Sequence, residues 1–152
     1  MLKPGDTAPA FTLEDAQGEA VSLDDLLTHG PLILYFYPAD FTPGCTKEAC
    51  AIRDIHDDII NSGLRVVGVS PQDCGSHERF AERYDLPFPL LCDPKKKTTK
   101  AFKLDGPLGI GSRRGTYLID TDSSIVDAVL ADVTISRHVD FIQRAIAAQQ
   151  PS

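Results

Sequence analysis

Two kinds of hydrophobic patterning alternate along the chain. Residues 32–37, Leu-Ile-Leu-Tyr-Phe-Tyr, are continuously apolar, rich in β-forming types and stopped by Pro38. That predicts a central strand buried on both faces. Beyond it, Ala49, Ile52, Ile55, Ile59 and Ile60 recur at helical spacing and end near Gly63, the pattern of an amphipathic helix. Residues 64–70 read as a second strand and 76–84 as a second helix. The stretch 87–92 is extended, and Pro87 and Pro89 favour an edge or a turn over a central position. Lys95, Lys96 and Lys97 open a short helix through Phe102. Residues 116–120 and 124–130 form an expected hairpin around Asp120-Thr121-Asp122-Ser123, and Val139, Ile142 and Ile146 mark a closing helix over 136–148. Ahead of all this lie a short apolar run at 10–13, a turn at 16–19, and a helical turn capped at Ser22.

This order predicts an α/β fold with a mixed central sheet flanked by helices on both faces. No repeat or linker divides the chain, so residues 1–152 are expected to form one domain. At 152 residues and 42% hydrophobic content it can bury a substantial core. A net charge of −7 argues against nucleic acid or an anionic membrane as partner. No apolar run reaches membrane-spanning length, and the start lacks the apolar core of a secretory signal, which points to the cytoplasm. Four cysteines are too few for a disulfide scaffold. In a reducing compartment they are expected to rest as thiols, so any pair that oxidises would do so transiently.

Cys45 stands out among them. It follows the strand 32–37 and falls in the first turn of the next helix, where Thr42 suits the N-cap and Pro43 the first helical position. Unpaired N–H groups and the positive end of the helix dipole favour a thiolate there. Cys45 shares the inward stripe of Ala49 and Ile52, whereas Cys50 points outward. Five residues of helix separate two side chains by about 7.5 Å along the axis and about 140° around it, too far for a disulfide without local unwinding. The pair therefore reads either as a nucleophile with a mobile resolving partner or as two unrelated thiols. A zinc site is poorly matched by the Cys-x4-Cys spacing, and no Cys-x-x-Cys occurs. Thr42 offers a hydroxyl near the sulfur and Pro38 can shield it from water. Arg113-Arg114 either stabilises the thiolate or forms a solvated basic turn. Glu48 either hydrogen-bonds near the site or is ordinary dipole complementarity at a helix start, the second being favoured, and His77 reads as a cap or solvated residue on the second helix.

These residues resemble the peroxiredoxins, and within them the peroxiredoxin Q or bacterioferritin comigratory protein group. The signature Pro-x-x-x-Thr/Ser-x-x-Cys matches Pro38, Thr42 and Cys45, and the similarity extends through Cys50, Arg53 and Asp54. Further matches run from Lys3-Pro4-Gly5-Asp6 to Arg114-x-Thr116-Tyr117-Leu118-Ile119-Asp120. The resemblance implies a thioredoxin-like fold and a thiol peroxidase acting on hydroperoxides without metal, haem or flavin. It makes Cys45 the peroxidatic cysteine and Cys50 the resolving one, with Pro38, Thr42 and Arg114 positioning the peroxide. It implies an intrachain Cys45–Cys50 disulfide, reduced by thioredoxin or a similar dithiol. Such a bridge removes the need for a dimer, so a monomer is expected. Cys74 and Cys92 are expected to be structural or incidental, with a small share in the resolving role. The stretch 103–113 is shorter than is usual in the group. A thioredoxin-fold sensor, oxidised once to signal rather than turning over, is the competing reading.

Overall fold

The computed structural model describes residues 1–149. A hairpin of β1 (Thr12–Asp15) and β2 (Ala20–Ser22) leads into the short α1 (Leu23–Leu27), whose N-cap Ser22 accepts a hydrogen bond from the Asp25 amide. Then follow β3 (Leu32–Phe36), α2 (Pro43–Asp54), α3 (His56–Asn61), β4 (Arg65–Ser70) and α4 (Cys74–Tyr84). The chain continues through β5 (Leu90–Cys92), α5 (Lys97–Ala101), β6 (Gly115–Ile119), β7 (Ile125–Leu130) and α6 (Ile135–Gln149). All seven strands form one mixed sheet in the order β2-β1-β5-β4-β3-β6-β7. β3, β4 and β5 run parallel, while β6 pairs antiparallel with β3.

β3 is central and wholly buried, as its unbroken apolar run requires. Its side chains alternate between two cores. Ile33 and Tyr35, continued by Tyr37, face a cluster with Cys45, Ile52, Ile59, Phe80, Phe141 and Ile142. Leu32, Leu34 and Phe36 face the second, with Leu23, Phe102 and Tyr117. On β4, Gly68 gives the Tyr35 ring its place, since a Cβ there would sit 2.8 Å from it.

The structure departs from the sequence reading at three elements. β5 is an inner strand, between β1 and β4. Both prolines precede its three residues, and Pro89 contributes only a carbonyl, to the Gly68 amide, so no ladder donor is lost. The long helix expected after Pro43 breaks at Ile55, whose φ of −110° and ψ of 12° lie outside the helical region. Neither Pro nor Gly marks that break. On α6, Ile142 and Ile146 reach the core as expected, but Val139 is half-buried and His138 is fully buried.

Candidate active site

The loop from Tyr37 to Thr42 joins the carboxyl end of β3 to α2. Thr42 takes the N-cap position in extended conformation and Pro43 opens the helix, which puts Cys45 in the first turn. The first helical hydrogen bond runs from the Thr46 amide to the Thr42 carbonyl, so the Cys45 amide is among the unpaired donors of the helix start. The Cys45 side chain is only 2% exposed and belongs to the larger core cluster.

Arg114 reaches the sulfur because of strand register. β6 runs antiparallel to β3 with Gly115 opposite Phe36, so the residue just before β6 lies at the carboxyl end of β3. Its Nη2 donates to Cys45 Sγ at 3.3 Å, its Nη1 to Glu48 Oε1 at 2.7 Å, and its Nε to the Asp132 carbonyl at 3.2 Å. Its backbone is fixed as well, the amide donating to Asp132 Oδ1 and the carbonyl accepting from Ala131. Gly44 makes room for the guanidinium, because a Cβ there would stand 3.2 Å from Nη2. Arg114 is thus a buried, triply directed cation, not a solvated turn. Arg113 takes that surface role, pairing with Asp132 Oδ2 at 2.8 Å.

Glu48 lies one turn beyond Cys45 on the same face and is completely buried. Burial pushes its carboxyl up to about 7, even though Arg114 pulls the other way. Its Oε2 has no hydrogen-bond partner among the described residues and lies 3.8 Å from His138 Nδ1. Burial lowers the His138 pKa, consistent with a neutral ring. Nε2–H then donates to the Ala131 carbonyl at 2.7 Å, and Nδ1 accepts from the Thr116 hydroxyl at 2.8 Å. Glu48 therefore joins the site, and spacing offered a signal for it: residues three apart on a helix share a face. His138 and Asp132 gave no comparable signal.

A second buried cluster holds the loop. Asp40 accepts from the Tyr37 hydroxyl at 2.6 Å, the Ser76 hydroxyl at 2.7 Å and His77 Nδ1 at 2.7 Å. Burial alone would raise the Asp40 pKa, but the hydrogen bonds and charge of its partners, His77 first, hold it below the usual carboxylate range. His77 Nε2 donates to the Leu91 carbonyl at 3.0 Å. His77 is thus fully buried and ties α4 to the loop, rather than capping or solvating the helix.

Pro38 is half-buried, and its carbonyl faces the Ser70 hydroxyl at 3.4 Å. The Thr42 hydroxyl donates to the Ala39 carbonyl at 3.0 Å, within the loop. Cys50, half-buried on α2, is a free thiol, as is Cys45. Cys74 and Cys92 are not thiols at rest: they are disulfide-bonded, with Cα atoms 5.4 Å apart. The expectation of four resting thiols fails because β4 and β5 run parallel with Ser70 opposite Cys92. The start of α4, a few residues past Ser70, therefore comes down beside the end of β5. Among the described residues no group of three His, Cys, Asp or Glu is placed to hold a metal ion.

A cysteine in the first turn of a helix, faced by a buried arginine just ahead of a neighbouring strand of a thioredoxin-like sheet, defines the class. Residues 4–128 match the AhpC/TSA family. The chain belongs to that family, and its relatives place it among the peroxiredoxin Q and bcp proteins. It is 41% identical over 152 residues to a putative peroxiredoxin of Mycobacterium tuberculosis (strain ATCC 25618 / H37Rv), covering 96% of each chain. It is 43% identical over 125 residues to the chloroplastic peroxiredoxin Q of Oryza sativa subsp. japonica, where the match covers 82% of this chain but only 57% of the relative. Among solved structures, peroxidoxin BcpB from Mycobacterium tuberculosis superposes with a TM-score of 0.92 at 34% identity, over 99% of this chain and all of that one.

Proposed function

We propose that this protein is a thiol-dependent peroxidase that reduces hydrogen peroxide and organic hydroperoxides, with Cys45 as the attacking sulfur. The observation that carries the reading is the 3.3 Å approach of Arg114 Nη2 to a buried sulfur at a helix start. A fixed cation and unpaired amides complement negative charge on the sulfur, and on a peroxide oxygen as the O–O bond breaks. The Cys45 thiolate attacks one peroxide oxygen and becomes a sulfenic acid. The other oxygen leaves as hydroxide or alkoxide and takes up a proton. Thr42 has its hydroxyl proton committed to Ala39, so its oxygen lone pairs are available to accept from the incoming peroxide. Pro38 screens the sulfur from water.

Cys50 then attacks the sulfenic sulfur, water departs, and an intrachain disulfide forms. Both cysteines lie within the continuous helix α2, so its first turns must unwind for this step. Thioredoxin or a similar dithiol restores both thiols. The cycle needs no bound cofactor, and one domain of residues 1–152 acting as a monomer in the cytoplasm suffices for it. No helix among the described residues is long and apolar enough to cross a membrane. The bacterioferritin comigratory protein of Xanthomonas campestris, 27% identical at a TM-score of 0.84, has alkyl peroxide reduction activity, which supports organic hydroperoxides as substrates.

The test is turnover with hydrogen peroxide and a thioredoxin system, followed by disulfide mapping after one equivalent of peroxide. The wild type turns over repeatedly and yields a Cys45–Cys50 linkage. Cys45→Ser is inactive, and Cys50→Ser stops at sulfenic acid. Retained activity in Cys45→Ser would sink the assignment, whereas one stoichiometric oxidation without turnover would mark a sensor.

A further inference from the structure

The Cys74–Cys92 bridge lies outside the cycle just described, yet it fastens the element against which the catalytic loop rests. Cys74 is the first residue of α4, and Cys92 is the last of β5. Between them the same helix sends three contacts to the loop. Ser76 and His77 both hold Asp40 Oδ2, and the Phe80 ring packs edge-on against Phe41 with centroids 5.1 Å apart. Phe41 needs that support, because its φ of 64° is a left-handed conformation that a bulky residue adopts only under constraint. His77 also bonds the Leu91 carbonyl, one residue before Cys92. The disulfide and this hydrogen bond thus fasten the same turn of α4 to the same end of β5.

We infer that Cys74–Cys92 is a second redox site, a clamp that a dithiol opens and a hydroperoxide closes, and that its state sets how readily the Cys45 helix unwinds. Cys74 is half-exposed and Cys92 buried, so an incoming thiolate meets Cys74 Sγ first. Attack there forms a mixed disulfide and expels Cys92 as a thiolate, which takes up a proton. The second thiol of the reductant then releases Cys74, so two electrons and two protons have passed from dithiol to protein. In closure, hydroperoxide oxidises one thiol to a sulfenic acid with loss of water or alcohol, and the other displaces water from it. With the clamp shut, α4 holds Asp40 and Phe41, and the loop keeps the first turn of α2 folded. With it open, the start of α4 loosens and the unwinding that joins Cys45 to Cys50 becomes easier. That last consequence rests on the cycle proposed above; the clamp itself does not.

Two measurements separate them. In the Cys45→Ser chain, the Cys74–Cys92 pair is closed with hydroperoxide and opened with dithiothreitol, and amide hydrogen exchange is followed over residues 38–54. Opening should speed exchange there by roughly five- to thirtyfold; unchanged exchange, or failure of the pair to close, overturns the clamp. In the second, wild type and the Cys74→Ser/Cys92→Ser double variant each receive one equivalent of hydrogen peroxide, and the Cys45–Cys50 linkage is timed by acid quench and mass spectrometry. The variant should form it several-fold faster, by about the same factor. An equal or slower rate in the variant counts against the clamp. Faster exchange on opening with no linkage in either protein would uphold the clamp and reject Cys50 as the resolving residue.

Discussion

Glu48 is where a single proton bears most directly on the chemistry. Ionised, it shares the Arg114 guanidinium with the Cys45 sulfur; protonated, it leaves more of that positive charge to the sulfur. Its carboxyl is held at about 7, so both forms are populated at neutral pH. Raising the pH through 7 therefore weakens the positive field at the sulfur. The rate of Cys45 oxidation should carry a component that declines over that range. Glu48→Gln keeps an oxygen for Arg114 Nη1 but cannot ionise, so the declining component should vanish. Stopped-flow peroxide kinetics across neutral pH decides this, and superimposable profiles would reject it. Stability follows the same proton. Between the ordinary value of 4.5 and about 7 the folded form holds a proton that the unfolded chain has lost. Stability therefore falls as pH rises through that window, and the glutamine variant should lack the slope.

At the level of elements, the loop between β3 and α2 is shaped by Asp40. Its carboxyl lies below the usual range in the fold, so its contribution is complete above the unfolded value and fades as pH falls through the folded one. Asp40→Asn should cost about 3 kcal/mol at neutral pH, since it strands a buried histidine. Urea denaturation should show the gap to wild type closing at strongly acidic pH; a constant gap would contradict the ionic account. The sequence reading places the strand stop before Pro38, the cap at Thr42 and Cys45 in the first turn of α2, as the structure does, because these follow from local rules: capping, proline at a helix start, and a strand stop. Spacing alone leaves Arg114 open, with only the resemblance assigning it a role, and it favours ordinary helix roles for Glu48 and His77, because their partners lie 66 and 37 residues away. The Cys74–Cys92 bridge escaped for a related reason. Spacing along the chain says nothing of it until β5 is known to be an inner parallel strand. The prolines that argued for an edge act before the strand begins.

For the molecule as a whole, sheet register does the positioning. Arg114 is fixed by the pairing of β6 with β3 and β7, not by the loop that precedes it. That loop closes on itself through the Gly106 amide to the Gly111 carbonyl and the Arg113 amide to the Leu104 carbonyl, leaving Leu108 and Ile110 exposed at its tip. If register places Arg114, the length of this loop has no bearing on the site. Two glycines inserted after Leu108 should change stability by less than about 1 kcal/mol and leave the peroxide rate within about twofold, since loop closure depends weakly on length. Thermal melting and single-turnover kinetics test this, and a collapse of the rate would mean that the loop, not the register, places Arg114. The burial of Cys45 among Ala49 and Ile52 has a wider consequence. On the proposed cycle every turnover lifts that sulfur out of the core and packs it back, so catalysis draws on the same contacts that resist heat. A lineage adapting to hotter surroundings by tightening this core would slow its own enzyme, and one adapting to cold would gain speed by loosening it.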